Sequence, residues 1–131
     1  MQSESSGATV SKGALWTGLV LSALPVLFML FGVAYSFAKA DKMKAEFAKY
    51  GYPEHHFQRL IVVELACVVL YVIPQTAVLG AILLTGYLGG ATATHVRVAE
   101  PFFFPIIVGI VLWLGLYLRE PRLRALVPLR R

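Results

Sequence analysis

Residues 86–97 read GYLGGATATHVR, and they close an apolar run that is too long and too uncharged for an ordinary soluble helix. Small side chains at Gly86, Gly90 and Thr94 recur every four positions. This spacing lets a second helix approach the backbone closely in lipid, where small residues dominate helix contacts. We therefore predict a membrane-spanning helix in which Gly86, Gly90 and Thr94 form a helix-packing face.

The composition indicates an integral membrane protein of one domain. Of the 131 residues, 58% are hydrophobic, which is far above the share expected of a soluble domain of this size. The net charge of +5 comes from 12 Lys and Arg against 7 Asp and Glu, and the basic residues flank the apolar runs. Basic residues in such positions set topology and contact anionic headgroups, so the predicted partner is the lipid bilayer and not nucleic acid.

Four apolar segments, each near the ~20 residues that cross a hydrocarbon core, predict an all-α fold, a transmembrane four-helix bundle. They cover Ala14 to Ala38, about Phe57 to Ile73, the residues after Gln75-Thr76 to about Thr94, and Pro101 to about Leu118. The predicted layout is a disordered lead at 1–13, a four-span domain at 14–118 and a basic tail at 119–131.

The connection between spans one and two predicts a short amphipathic helix. Ala40, Met43, Phe47 and Tyr50 fall at helical spacing with lysines between them, and Gly51 suits a C-terminal cap. We expect this helix to lie at the level of the lipid headgroups. The alternative is that span one extends into water.

The basic residues do not determine which side of the bundle faces the cytoplasm, because the two sides of a four-span bundle carry equal numbers of them. The arginines of the tail are the densest basic cluster. We therefore expect a multi-pass protein of the bacterial inner membrane with both termini in the cytoplasm.

A break at Pro74-Gln75-Thr76 makes spans two and three a tight antiparallel hairpin. Glu64 lies eleven residues before Gln75, and Gly86 lies eleven residues after it. At 1.5 Å per residue, Glu64 is therefore level with Gly86 and Tyr87, roughly 16 Å from the turn.

The candidate ligand-binding residues are polar side chains of this hairpin, namely Glu64, Tyr71, Tyr87, His95 and Arg97. A carboxylate at the bilayer centre costs ~2.5–3.5 kcal/mol on insertion scales, so we expect Glu64 to face the bundle. It either handles protons or holds the polar end of a ligand, or it makes an interhelical contact that fixes packing. His95 and Arg97 either reach into this site or mark the water interface.

Cysteine and histidine usage limits the chemistry. Cys67 is the only cysteine, which excludes an internal disulfide and a CxxC redox pair. His55, His56 and His95 lack a regular ligand spacing, so no metal site is predicted. No cofactor motif is evident and no catalytic residue is assigned; a quinone or a lipid is the expected ligand.

Several of these motifs resemble the DoxX-like family of small four-helix integral membrane proteins. The resemblance covers about residues 13–126 and rests on GYP at 51–53, Glu64, PQTA at 74–77, LGA at 79–81, GYLGGA at 86–91, HVR at 95–97 and LYLR at 116–119. It implies a four-helix fold. The function of the family is poorly defined: some relatives are linked to thiosulfate oxidation coupled to quinone, others to redox complexes or to receptor assembly. None of these roles carries over residue by residue.

A second four-helix group, the membrane glutathione-transferase-like proteins, is excluded. Its arginine–asparagine–glutamate pattern requires an asparagine, and this chain has none.

Two functions follow from these observations. The leading prediction is a non-catalytic subunit with a polar pocket around Glu64, which binds a small lipophilic ligand or assembles into a homo-oligomer or a membrane protein complex. The alternative is the membrane subunit of a quinone- or lipid-linked oxidoreductase, in which Glu64 handles protons.

Overall fold

The structure is a computed structural model that describes residues 10–130. Residues 1–9 of the predicted disordered lead lie outside the described residues. The described chain forms six α-helices and one 3₁₀ turn at Pro74–Thr76. The helices are α1 (Lys12–Ala38), α2 (Ala40–Lys49), α3 (His56–Val72), α4 (Ala77–Arg97), α5 (Phe103–Arg119) and α6 (Pro121–Leu126).

The predicted all-α bundle is confirmed, with α1, α3, α4 and α5 in place of the four predicted spans. Helix α1 packs on α5 and α3, and α4 packs on the same two helices, so the four form a closed square. No strand occurs among residues 10–130. The start of α1, the 74–76 turn and α6 lie at one end of this square, and α2 and the loop 98–102 lie at the other.

The predicted amphipathic segment is a separate helix, α2. The backbone leaves the helical conformation at Lys39 (φ −122°, ψ 47°), between the end of α1 at Ala38 and the start of α2 at Ala40. The alternative, in which span one extends into water as one helix, is therefore wrong.

The outer surface of the bundle is apolar. Trp16 and Phe31 on α1 are each 68% exposed, and Val62 on α3 and Phe103 on α5 are 63% and 62% exposed. Soluble monomers rarely expose contiguous apolar surface on this scale, whereas lipid-facing helices require it.

Helix lengths bear on which segments cross a bilayer. By length and composition alone, Lys12–Ala38 and Pro74–Arg97 can cross, and Phe103–Arg119 is a shorter apolar helix. Helices α3 and α5 have 17 residues each, roughly 25 Å at 1.5 Å per residue. Because a short span is accommodated by local thinning of the bilayer, crossing by α3 and α5 stays a prediction.

Helices α1 and α5 cross at very close range. A Cβ added to Gly115 would meet Ser22 Oγ at 2.6 Å, Ser22 N at 2.7 Å and the Gly18 carbonyl oxygen at 2.9 Å. A Cβ on Gly18 would meet the Gly115 carbonyl oxygen at 2.8 Å. The two backbones therefore touch at a point that only residues without a side chain permit.

Gly80 makes a similar contact inside the hairpin. A Cβ there would lie 2.3 Å from Tyr71 N and 2.5 Å from Tyr71 Cα. The hydroxyl of Thr76 donates to the Leu70 carbonyl oxygen at 2.7 Å and closes the turn between α3 and α4.

The predicted packing face on α4 is not a helix contact within the chain. A Cβ on Gly86 or Gly90 would meet no atom within 4 Å. Thr94 is buried, but its hydroxyl donates to the Gly90 carbonyl of its own helix at 2.8 Å. The small residues that bring helices together are Gly18, Gly80 and Gly115 instead; contact of the α4 face with a second molecule stays a prediction.

We expect Gly115→Ala to destabilise the protein by about 1–3 kcal/mol, because the added methyl group pushes α1 and α5 apart. Gly109→Ala is the matched control in the same helix, since its Cβ would have only Leu88 Cδ1 nearby, at 3.7 Å. That control should be neutral or stabilising by up to about 1 kcal/mol. Unfolding in detergent with increasing denaturant measures both, and equal stability of the two variants would contradict the crossing.

Candidate functional site

The end of α2 positions the first side chains of the site. Gly51 has a positive φ of 89°. The Tyr52 N–H donates to the Phe47 carbonyl at 2.9 Å, and the Gly51 N–H donates to the Ala48 carbonyl at 3.0 Å. This pair of bonds is the Schellman motif, which needs a left-handed residue and favours glycine. The cap predicted at Gly51 is confirmed, and it turns Tyr52 back toward the bundle.

Helix α4 ends in the same way, with an alanine in the left-handed position. Ala99 has φ 59°. The Glu100 N–H donates to the His95 carbonyl at 2.9 Å, and the Ala99 N–H donates to the Val96 carbonyl at 3.1 Å. The turn brings the Glu100 side chain to the end of α2.

Glu100 joins the two chain reversals. Its carboxylate accepts a hydrogen bond from Lys49 Nζ and another from the Tyr50 hydroxyl, the latter at 2.9 Å. Arg97 donates to the Tyr50 carbonyl oxygen, and its guanidinium carbon lies 5.9 Å from the centre of the Tyr52 ring. We call these contacts of Glu100 and Arg97 with residues 49–52 the α2 clasp.

The charges of the clasp support one another. The hydrogen bond from Lys49, followed by the one from Tyr50, holds the pKa of the Glu100 carboxyl below its usual value of 4.5. The same bond to Glu100 raises the pKa of Lys49 above 10.5. Burial, and then the bond to Glu100, raises the pKa of the Tyr50 hydroxyl. All three groups are therefore held in the forms that make the clasp.

Below the clasp, Tyr52 connects α2 to α4. Its hydroxyl lies 2.8 Å from Thr94 Oγ1, and Thr94 Oγ1 lies 2.8 Å from the Gly90 carbonyl oxygen. A carbonyl oxygen only accepts, so the single hydrogen of Thr94 goes to Gly90 and Tyr52 donates to Thr94.

Glu64 and Tyr87 meet about two helix turns deeper, because Tyr87 precedes Thr94 by seven residues on α4. The Tyr87 hydroxyl donates to Glu64 Oε2 at 3.0 Å. The hairpin count predicts that these residues are level, and this contact confirms it. Both side chains are half-buried.

Tyr50, Tyr52, Tyr87 and Thr94 border a cavity of about 490 Å³. We call it the α2 cavity. It lies in the range of roughly 300–1,000 Å³ that is usual for small-molecule sites. Its wall is formed by α2, the start of α3 and one face of α4, and consists of Met43, Phe47, Tyr50, Tyr52, Leu60, Gly86, Tyr87, Gly90, Ala91, Thr94 and His95.

The structure brings together only some of the predicted ligand-binding residues. Tyr87 and His95 line the α2 cavity, and Glu64 contacts it through Tyr87. Gly86 and Gly90 line it as well, so the missing side chains make room for the cavity. Arg97 is exposed and belongs to the clasp, outside the cavity wall.

Tyr71 lies at the opposite end of the bundle, apart from the other candidates. Its side chain is 0% exposed, and its hydroxyl lies 2.6 Å from the Leu112 carbonyl oxygen and 3.0 Å from Ser22 Oγ. Arg119 Nε donates to the same Ser22 oxygen at 3.0 Å. Tyr71 thus holds α1, α3 and α5 together and lies outside the α2 cavity, so a role for it in ligand binding stays a prediction.

Four polar side chains of the cavity and the clasp are not among the predicted site residues: Lys49, Tyr50, Tyr52 and Glu100. The GYP motif at 51–53 marks the turn that positions the two tyrosines. No local pattern identifies Glu100, because its partners lie 50 and 51 residues earlier in the chain.

A second cavity lies on the outer face of α4 and α5. This outer groove has a volume of about 550 Å³ and is almost entirely apolar. It is lined by Thr85, Leu88, Gly89, Thr92, Pro105, Ile106, Gly109, Ile110, Trp113, Leu114, Tyr117, Leu123 and Val127. The Trp113 Nε1–H donates to Thr85 Oγ1 at 2.6 Å, so these two polar groups of its wall pair with each other.

Comparison with known proteins identifies one family. The model of the DoxX-like family matches residues 20–116, from the first third of α1 to near the end of α5. The matched region contains α3 and α4, most of α1 and α5, the α2 cavity and the clasp. No curated protein and no solved structure matches the chain.

The clasp generates a prediction for α2. Because the pKa of Glu100 is lowered, its contribution is complete above pH 4.5 and is lost as the pH falls through the lowered value. In Glu100→Gln we expect amide hydrogens of residues 40–49 to exchange roughly two- to fivefold faster at pH 7. Hydrogen exchange with mass spectrometry, corrected for intrinsic rates, measures this.

The matched control is Glu120→Gln, the same change at the other end of the bundle, and it should leave α2 exchange unchanged. The wild type should show the same acceleration as the pH falls below 4.5, and Glu100→Gln should not accelerate further. Unchanged α2 exchange in Glu100→Gln would rule out the clasp as a tether of α2.

Proposed function

The chain belongs to the DoxX-like family and is a membrane protein of that type, and on this premise we propose that it binds one small lipophilic molecule in the α2 cavity. The observation that carries the proposal is that a single cavity is lined by both apolar and hydrogen-bonding residues. Met43, Phe47 and Leu60 supply apolar surface, whereas tyrosine hydroxyls, Thr94 and His95 supply hydrogen-bonding groups. Ligand sites typically combine an apolar wall with a few convergent polar groups.

The position of the cavity supports a ligand that is dissolved in the bilayer. Its deep part is formed by α3 and α4, beside the contact of Glu64 with Tyr87, and its outer part is covered by α2. Residues of α2 are half-buried or exposed, and none is fully buried. An element with so few buried contacts opens at low free-energy cost. Helix α2 is thus suited to admit a molecule from the headgroup region.

The glycines of α4 support binding inside the chain over assembly through this face. Gly86 and Gly90 border the cavity and have free space above them. A ligand that fills this space gains the apolar contact that the missing side chains would make. Assembly through the same face stays an alternative, which the mass of the oligomer tests.

The oxidoreductase alternative depends on the contact between Glu64 and Tyr87. Glu64 is one hydrogen bond away from Tyr87, and Tyr87 lines the cavity. A proton released by a bound molecule would have a carboxylate within reach through Tyr87. Glu64→Gln distinguishes the two functions. If the protein only binds the ligand, this variant should still bind it. If the protein takes part in a proton-coupled reaction, this variant should lose that reaction.

We expect Gly90→Leu to prevent the ligand from binding in the α2 cavity. The leucine side chain enters free space and occupies the volume of the ligand, and overpacking of 1–3 kcal/mol corresponds to about fivefold to 150-fold weaker binding. Native mass spectrometry from a mild detergent measures the lipophilic molecules that stay bound to each variant. The wild type should carry one small molecule that Gly90→Leu has lost.

Gly89→Leu is the matched control. Gly89 is the preceding residue, also has no atom within 4 Å of an added Cβ, and faces the outer groove. This variant should bind as the wild type does. Loss in Gly89→Leu but not in Gly90→Leu, or only bulk phospholipid on all three proteins, would contradict the proposal.

A further inference from the structure

We infer that the α2 cavity selects a ligand that donates a hydrogen bond, an amphipathic alcohol or phenol, over an ether, ketone or hydrocarbon of the same shape. The inference rests on the proposed function. Its basis is that every hydrogen-bond donor of the cavity wall already has an acceptor within the protein.

Each hydroxyl of the wall has one hydrogen, and each hydrogen has a partner. Two oxygen atoms about 3 Å apart attract each other only when a hydrogen lies between them. The Tyr50 hydroxyl donates to Glu100 Oε2 at 2.9 Å, and the Tyr87 hydroxyl donates to Glu64 Oε2 at 3.0 Å. Thr94 donates to the Gly90 carbonyl, and Tyr52 donates to Thr94.

His95 follows the same rule. Its Nδ1 lies 2.7 Å from the Ala91 carbonyl oxygen, which only accepts, so Nδ1 carries the hydrogen. In the neutral ring Nε2 then has a lone pair and no hydrogen. The backbone N–H groups at the end of α2 are committed as well, because those of Tyr50, Gly51 and Tyr52 donate to carbonyls of α2.

The other wall residues, Met43, Phe47, Leu60, Gly86, Gly90 and Ala91, have no side-chain donor. What the wall retains is acceptor capacity: a lone pair on each hydroxyl oxygen and Nε2 of His95. A ligand hydroxyl supplies the missing hydrogen. A ligand that only accepts finds no hydrogen to accept and leaves its polar atom unpaired, which weakens binding about tenfold.

Thr94 and Thr92 provide a matched pair of variants. Valine at position 94 removes the acceptor of Tyr52 and releases its hydrogen, so Tyr52 becomes a donor for the ligand. Thr92 donates to the Leu88 carbonyl at 2.8 Å and lines the outer groove. Thr92→Val therefore changes a threonine of the same helix without changing the α2 cavity.

The test is native mass spectrometry of the full chain in mild detergent with an equimolar mixture of para-octylphenol and para-octylanisole. The two probes differ by one methyl group that replaces the hydroxyl hydrogen. We expect the wild type and Thr92→Val to bind the phenol about tenfold more than the anisole. In Thr94→Val the ratio should fall several-fold. Comparing variants on one probe pair cancels any difference in partition into the detergent.

Binding of both probes without preference, or a ratio unaffected by Thr94→Val, would overturn the inference and leave the proposed function intact. Failure of both probes to bind, or equal binding to Gly90→Leu, would overturn the proposed function itself. The melting temperature of each variant shows whether it is folded. Thr94→Ser keeps the hydroxyl that accepts from Tyr52, so it should bind the two probes in the wild-type ratio.

Discussion

The hydrogen-bond chain through Tyr71 is the interaction on which the rest of the bundle depends. The Tyr71 hydroxyl donates to the Leu112 carbonyl oxygen at 2.6 Å and lies 3.0 Å from Ser22 Oγ, which also accepts a hydrogen bond from Arg119 Nε. Polar groups surrounded by hydrocarbon must find their partners inside the protein. These groups reach each other only because α1 and α5 touch at Gly18 and Gly115 and because Gly80 lets α4 lie against Tyr71. One end of the bundle is thereby closed.

At the opposite end, side-chain contacts hold the chain together in place of close backbone packing, and an open volume remains. There α4 presents Gly86 and Gly90 to an open volume, and α2 covers this volume through the contacts of Glu100 and Arg97 with residues 49–52. The bundle is therefore closely packed at one end, and at the other end it has a cavity that α2 covers, where we propose that the ligand binds. One polar group of the cavity wall, the Tyr87 hydroxyl, donates to Glu64, which is the one acidic residue within the four long helices of the bundle.

The fold and one contact of the site could be predicted from the sequence. Hydropathy and the Pro74 break give the α3–α4 hairpin, and the constant rise of a helix places Glu64 beside Tyr87. The packing face was not predictable in the same way, since spacing by four residues occurs at Gly86 and Gly90 as well as at Gly18 and Ser22, and it does not tell which face meets a helix. Glu100 was missed because Ala99, and not a glycine, takes the left-handed turn that brings it to Tyr50.

The most direct test of the central claim is the location of a bound lipophile. A phenol that carries an alkyl diazirine, added to the protein in liposomes and activated by light, marks the residues beside it, and peptide mass spectrometry maps them. The account predicts label on α2 and on residues 86–95 of α4, where the α2 cavity lies. Label concentrated on Pro105, Gly109 and Trp113 would place the ligand in the larger, apolar outer groove and contradict it.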